Sequence, residues 1–232
     1  MRTFVLASEA VTPSHPDKLC DRISDAMVDA CLVEDAEAAC IAECALASGI
    51  AFLSLRHDRP LGFDPAALTR RLLRQAAPDP EAPEATVMLD VVQAAPGGVG
   101  ALDPSRMTTA FGYACDDHPT RMPAPLRLAQ GMAGALEAAA RGPLAGRVSA
   151  DGQAQAAVRF EARRPVRLEA AALSLFSDEP AEKLEPALRR EVLAPAGLED
   201  EARFVLHLRP GAGGPTTHAG LTGRKTAADA YG

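Results

Sequence analysis

The sequence predicts an α+β fold with helices packed on mixed sheets, and two observations carry that expectation. Runs with 3.6-residue apolar periodicity alternate with short β-rich runs, in an order close to β-α-β-β-α-β in each half of the chain. The composition agrees: 232 residues, 47% hydrophobic and 24% charged, can bury one substantial core or two or three small ones. Trp is absent and Tyr occurs twice, so Leu, Val, Ile and Ala must build that core, which favours packed layers over a ligand-filled barrel.

Leu19, Ile23, Ala26, Met27, Ala30 and Cys31 recur at helical spacing behind a first-turn Pro16, predicting a helix over 17–34. Two β-rich runs, 39–47 and 50–56, flank Ser48-Gly49 and predict a hairpin. Asp64-Pro65 reads as an N-cap and first helical position, and Leu68, Leu72 and Leu73 give the helix its stripe. Thr86–Gln93 reads as a strand, and Ala94–Arg106, rich in Gly and Pro, as a mobile loop. A helix follows Met122-Pro123-Ala124-Pro125 and runs to Arg141, weakened at Gly131 and Gly134 by about 1 kcal/mol each. Strands near 155–161 and 167–176, a helix near 181–194 and a strand near 203–208 complete the second set. The expected domains are 1–110 and 111–232.

Lys and Arg number 24 against 31 acids, and a net charge of −7 argues against a general binder of nucleic acid or anionic membranes. No stretch approaches eighteen uninterrupted apolar residues, and Met1–Pro13 has neither a basic leader nor an apolar run, so a cytoplasmic protein is expected. Five cysteines, Cys20, Cys31, Cys40, Cys44 and Cys115, show no CxxC spacing, which points to reduced, mostly buried thiols.

His15-Pro16-Asp17-Lys18 places an imidazole, a carboxylate and an amine at a helix start, where free N–H groups and the helix dipole favour an anion. There Asp17 could ligate Mg²⁺, Lys18 could offset phosphate charge and His15 could hydrogen-bond a phosphate or leaving oxygen. A capped helix start with surface charges would look the same. Gly220-Leu221-Thr222-Gly223-Arg224-Lys225 permits a tight turn that presents two cations to a polyphosphate; its spacing is not that of a P-loop, and a basic surface turn is the plain alternative. Glu43 sits in an otherwise apolar strand: turned inward it needs a cation or a donor, turned outward it needs nothing. Gln93 ends a strand at the mouth of the Gly/Pro loop, as a contact or merely a cap. Asp116-Asp117-His118 and Arg163-Arg164 read as solvated turns.

Together these segments resemble the S-adenosylmethionine synthetase (methionine adenosyltransferase) family. Ser8-Glu9-Ala10-Val11 through His15-Pro16-Asp17-Lys18-Leu19-Cys20-Asp21-Arg22-Ile23-Ser24-Asp25-Ala26 is similar to the family's amino-terminal signature. Phe111-Gly112-Tyr113-Ala114, Met122-Pro123-Ala124-Pro125, Gly220 to Lys225 and Asp229-Ala230-Tyr231-Gly232 resemble later blocks in the same order. The resemblance implies two of the family's three βαββαβ-type repeats, with mixed sheets, helices on one face, a flat sheet face for dimerisation and the carboxy-terminal repeat absent. It also implies that methionine sulfur attacks the 5′ carbon of ATP and expels triphosphate, which is then hydrolysed. His15 would contact ATP near the leaving oxygen; Lys18, Asp151, Arg224 and Lys225 would serve ATP and its phosphates; Asp17 would bind Mg²⁺, Glu43 K⁺ and Gln93 methionine.

Departures from the family pattern accompany these matches. A family lysine stands where this chain has Gln153 in Asp151-Gly152-Gln153; the methionine-binding Glu aligns with Arg56; and the Asp before the Gly-Leu-Thr-Gly-Arg-Lys block is His218. The family's Gly-Ala-Gly-Asp-Gln-Gly run is unrecognisable in Asp103–Ala110, and the segment before Gly213 is shortened where an adenine-stacking aromatic would lie. Losing one charge-stabilising donor costs about 10²- to 10³-fold in rate, so several losses imply a chain inactive in isolation. The expected partners are ATP, methionine and a second chain: another copy or a related synthetase supplying the missing residues. A non-catalytic scaffold or regulator, or an enzyme with an altered substrate suited to Arg56, are the alternatives.

Overall fold

The structure is a computed structural model that describes residues 2–76, 84–99, 112–197 and 202–225. Contacts divide the chain into two compact units: unit 1 comprises residues 1–15, 111–213 and 225–232, and unit 2 comprises 16–110 and 214–224. One edge of that division falls at 110/111, and residues 1–15 and 214–224 each join segments remote in sequence. The reason is strand pairing, and it is visible in each unit's sheet.

Unit 2 contains α1 (Pro16–Glu34), β2 (Cys40–Ala47), β3 (Ile50–His57), α2 (Pro65–Ala76), β4 (Thr86–Gln93) and the short β8 (Gly220–Leu221). Its sheet has the order β4-β3-β2-β8. The β2–β3 hairpin turns through Ser48 and Gly49, both at positive φ (49° and 76°), the pattern of a type I′ turn. β4 returns parallel to β3 because α2 carries the chain back across the sheet. Asp64 caps α2 by accepting hydrogen bonds from the N–H groups of Ala66 (2.8 Å) and Ala67 (3.2 Å). Leu19, Ile23 and Met27 of α1 pack on Cys44 and Leu46 of β2 and on Leu53 and Leu55 of β3 to form its core.

Unit 1 contains β1 (Thr3–Val11), α3 (Ala124–Arg141), β5 (Gly152–Glu161), β6 (Arg164–Phe176), α4 (Ala181–Leu188) and β7 (Arg203–Arg209). Its sheet, β1-β5-β6-β7, repeats the other's directions: two antiparallel pairings, then a parallel one. Along β5, inward residues Ala154, Ala156, Val158 and Phe160 are buried and alternate with less buried ones, as a sheet with one covered face requires. Met132 and Leu136 of α3 and Leu184 and Leu188 of α4 fill the core with Leu173 and Leu175.

The helix expected near 181–194 is not uniform. Pro186 lies inside α4 and supplies no N–H, and the segment passes into a π-helical turn at Arg189–Leu193, where the Ala194 N–H bonds the carbonyl of Arg189 at 2.9 Å. The loop expected at Ala94–Arg106 is irregular over Ala94–Val99; the remainder lies outside the described residues, as do Asp103–Ala110, Phe111 and Asp229–Gly232. Among the described residues no helix is long and apolar enough to cross a membrane.

Candidate functional site

Two sequence motifs about 200 residues apart meet inside unit 2. The turn after β8 folds onto the start of α1: the Leu221 N–H donates to Asp17 Oδ1 at 3.0 Å and the Gly223 N–H to Asp21 Oδ1 at 2.8 Å. Arg224 Nε lies 2.8 Å from the same Asp17 oxygen, and its Nη2 donates to the Ala219 carbonyl at 2.9 Å. Asp17 is buried, 1% exposed at its side chain, while the Arg224 side chain remains half exposed. A glycine is obligatory at 220, because a Cβ there would collide with the Pro16 carbonyl. Lys18 pairs with Asp21 at 3.2 Å within the first turn of α1.

Thr222 is a functional-looking residue that the sequence reading passed over. Its hydroxyl accepts from the Cys44 N–H at 2.9 Å, lies 2.7 Å from Ser24 Oγ and 3.2 Å from the Cys44 carbonyl, and so clamps the turn to α1 and β2. Its place inside the Gly-Leu-Thr-Gly-Arg-Lys run was the available signal.

In unit 1 the start of β5 gathers a second group. Asp151 is 2% exposed, its N–H bonds Ser149 Oγ at 3.1 Å, and Gly213 (φ 69°) approaches so closely that a Cβ would come within 3.0 Å of Asp151 Oδ2. Gln153 Nε2 donates to Glu9 Oε2 at 2.7 Å, and Lys225 Nζ stands 3.9 Å from Glu9 Oε1. The neutral amide at 153 therefore lies beside a carboxylate that also draws a lysine. His15 lies in the turn between β1 and α1, its N–H bonded to the Thr12 carbonyl at 3.0 Å.

Ser14 and Glu137 form another cluster absent from the sequence reading. Ser14 Oγ donates to Glu137 Oε1 at 2.8 Å, and Arg141 bonds both, through Nε to Glu137 at 2.7 Å and Nη2 to Ser14 at 2.9 Å.

Glu43 faces outward: it is exposed on β2, on the side of the sheet opposite the core residues Cys44 and Leu46. The ladder puts Glu43, Ser54 and Asp90 in one row across β2, β3 and β4, and Ser54 Oγ donates to Asp90 Oδ2 at 3.3 Å. Arg56 is on the same exposed face, 4.0 Å from Asp90 Oδ2. Gln93 is exposed at the end of β4. His218 lies in the turn before β8, its N–H bonded to the Gly214 carbonyl at 3.3 Å.

Two of the thiols, Cys20 and Cys40, are unsuited to anionic ligation. A hydrogen bond with Cys44, reinforced by burial, pushes Cys20 far above the usual thiol range. Burial, with a hydrogen bond from Cys31, raises Cys40 to about 12. All five cysteines are free.

Comparison with known proteins decides the family. Residues 3–87 match the S-adenosylmethionine synthetase N-terminal domain and residues 99–212 its central domain. The chain belongs to the S-adenosylmethionine synthetase family. Over its whole length it is 31% identical to S-adenosylmethionine synthase 1 of Rhodospirillum rubrum, covering 66% of that protein. It is 30% identical to the S-adenosylmethionine synthases of Prochlorococcus marinus strains MIT 9303 and MIT 9313, covering 65% of each. The chain thus spans a little under two thirds of the length of these curated relatives. The synthetase fold expected from the sequence is present, with two mixed sheets and four α-helices among the described residues. β1 falls within the N-terminal-domain match yet pairs with β5 of the central-domain match, so matched segments and packed units are not the same residues.

Proposed function

We propose that this chain is a synthetase-family subunit that holds the polyphosphate of ATP at the start of α1 and the turn after β8, and contributes to S-adenosylmethionine formation only with a partner chain. The observation that supports this most is the Asp17–Arg224 pair. A buried carboxylate and a half-exposed guanidinium, remote in sequence, are held together at a helix start where backbone N–H groups favour an anion. Arg224 uses Nε and Nη2 on Asp17 and Ala219, which orients the fork while leaving further N–H donors for a phosphate. Lys225 and Lys18 add charge, and His15 would donate to the oxygen that leaves C5′. Asp151 would serve the ATP side, and Gln93 the methionine side.

A single buried carboxylate fits a magnesium ion that takes its other ligands from water and phosphate oxygens, and Asp17 would hold it. Bound there, Mg²⁺ would neutralise charge developing on the triphosphate. Glu43, Ser54 and Asp90 offer an all-oxygen row suited to a hard monovalent cation, with Glu43 as the potassium ligand.

A second reading rests on Gln153, Arg56 and His218. Gln153 is neutral and held by Glu9, and Arg56 would repel an amino group, which favours a non-catalytic partner that binds ATP and stabilises or regulates a catalytic chain. The deciding experiment measures S-adenosylmethionine and phosphate from ATP, methionine, Mg²⁺ and K⁺, with the chain alone and mixed with a full-length synthetase. Silence alone with stimulation in the mixture supports the partnered subunit. Turnover by the chain alone in proportion to its concentration refutes both readings. Binding of ATP, lost in Arg224→Ala, with no turnover by the chain alone and none added to that of the synthetase in the mixture, supports the non-catalytic partner.

A further inference from the structure

We propose that unit 1 carries a ligand site separate from the ATP-facing residues, a cavity for a small amphipathic carboxylate gripped by Arg127 and Arg203. The cavity is about 550 Å³ and opens between the first turn of α3, the β5–β6 hairpin and the start of β7. That size suits a metabolite-sized ligand. Asp151 precedes β5 and Val158 lines the cavity seven residues later, so the two places are about 20 Å apart along the strand.

The wall combines an apolar floor, from Leu128, Val158 and Leu168, with arginines. Arg127 Nε is fully buried and makes no hydrogen bond. Among the described residues neither Arg127 nor Arg203 forms an ion pair. Several other arginines of the unit are paired: Arg141 holds Glu137, Arg147 holds Glu179 and Arg189 holds Glu185. Leaving a guanidinium donor buried and unmet costs free energy that an incoming acceptor would recover.

The carboxylates around the cavity do not satisfy this demand. Glu169 accepts two hydrogen bonds from Arg159, at 2.7 and 2.9 Å, and stands 3.3 Å from Arg167. Those guanidiniums hold it anionic, well below the usual carboxylate range at about 2. Among the described lining residues, Arg127, Arg167 and Arg203 stand against Glu169 and Asp117, an excess of one positive charge that a monoanion balances. The positive end of α3 adds to the attraction. The ladder skips Glu169, opposite the Ala157/Val158 step, and Val166, opposite the Arg159/Phe160 step, and these bulges bend β6 beside the cavity, where a regular hairpin would lie flat. A planar carboxylate with an apolar body meets both halves of this wall, as inorganic phosphate does not.

The test is an amide-resolved NMR titration of the full chain with phenylacetate, its neutral isostere phenylacetamide, and inorganic phosphate. Phenylacetate should shift the amides of Arg127, Leu128, Leu168 and Arg203 saturably, with phenylacetamide about tenfold weaker or more, the loss expected for a charge-assisted bond. Arg127→Gln should weaken phenylacetate by a similar factor, and Arg203→Gln by less; Arg127→Lys, which keeps the charge and loses the fork, should fall between wild type and Arg127→Gln. Equal binding of phenylacetamide, phosphate binding as tight as phenylacetate, no saturable shift with any probe, or unchanged affinity in Arg127→Gln and Arg203→Gln would each overturn the proposal.

Discussion

Units 1 and 2 share one sheet plan but secure its first strand by opposite means. In unit 1, β1 runs nine residues and pairs with β5 along its whole length, from Thr3 opposite Glu161 to Val11 opposite Gln153. In unit 2 the equivalent place is taken by β8, two residues long, opposite Ala45 and Leu46 of β2. Two ladder pairs cannot anchor a chain segment, so side chains take over: Asp17, Asp21 and Thr222 bind the backbone around β8. Asp17, the proposed magnesium ligand, is therefore also a residue on which this part of the fold depends. Ladder-held structure leaves side chains free to vary; side-chain-held structure does not.

Substitution of Gly220 should give the largest effect. Gly220→Val places a branched side chain against the Pro16 carbonyl, and overpacking a backbone contact should cost about 3 kcal/mol or more. The expected outcome is loss of amide protection at Leu221 and Thr222 and a fall in melting temperature. Gly134→Val, where a Cβ meets nothing within 4 Å, is the control and should leave that protection intact. If Gly220→Val keeps protection, β8 is not held by close approach to α1.

The cores should behave alike, which sharpens the contrast at the edges. Leu53 and Leu173 are each 0% exposed at corresponding central strands, β3 and β6. Leu53→Ala and Leu173→Ala should each cost about 3 kcal/mol by chemical denaturation. A twofold difference would mean that one core relaxes around the void and the other does not.

The threonines come next. Thr222, partly buried, joins Ser24 and Cys44, whereas Thr12, fully buried in unit 1, accepts one hydrogen bond from the Gly152 N–H at 3.0 Å beside a full ladder. Thr222→Val should cost about 2 kcal/mol and Thr12→Val about 1 kcal/mol, since each leaves buried partners unmet in proportion to the bonds removed. Equal losses would show that the ladder of unit 1 gives Thr12 no support.

This contrast also explains what the sequence could disclose. α1, the β2–β3 hairpin, the Asp64 cap and β4 were legible because periodicity, a Ser-Gly turn and a capping residue are local signals. The pairing of β1 with β5 and of β8 with β2 was not, because register between segments 140 to 180 residues apart leaves no trace in either segment alone. At the candidate site, Asp17 and Arg224 stood out through motif resemblance, and their mutual contact did not. Glu43 had two equal readings until the ladder turned it outward. Thr222, Glu9 and Glu137 were missed because their roles come from partners distant in the chain.

The smallest expected effect separates the units by how they hold a carboxylate. In unit 1, the Arg159 guanidinium holds Glu169 at about 2, below its usual 4.5, on a side chain 33% exposed. In unit 2, Asp58 is buried and lowered chiefly by backbone N–H groups, those of Ala39 at 2.8 Å and Gly97 at 3.1 Å. Both shifts are downward, so each contributes stability that is complete above the unfolded carboxylate range and is lost as pH falls through the folded value. For Glu169 that window runs from about 4.5 to about 2; for Asp58 it opens below 3.8. Salt should part them, because mobile ions screen an exposed charge pair but not fixed amide dipoles at hydrogen-bond distance. Carboxyl NMR titrations in low and about 1 M salt, where the screening length is about 3 Å, should move Glu169 upward and leave Asp58 in place. If both move together, Asp58 is held by the neighbouring Arg59 charge rather than by the backbone, and the two units hold their carboxylates in the same way.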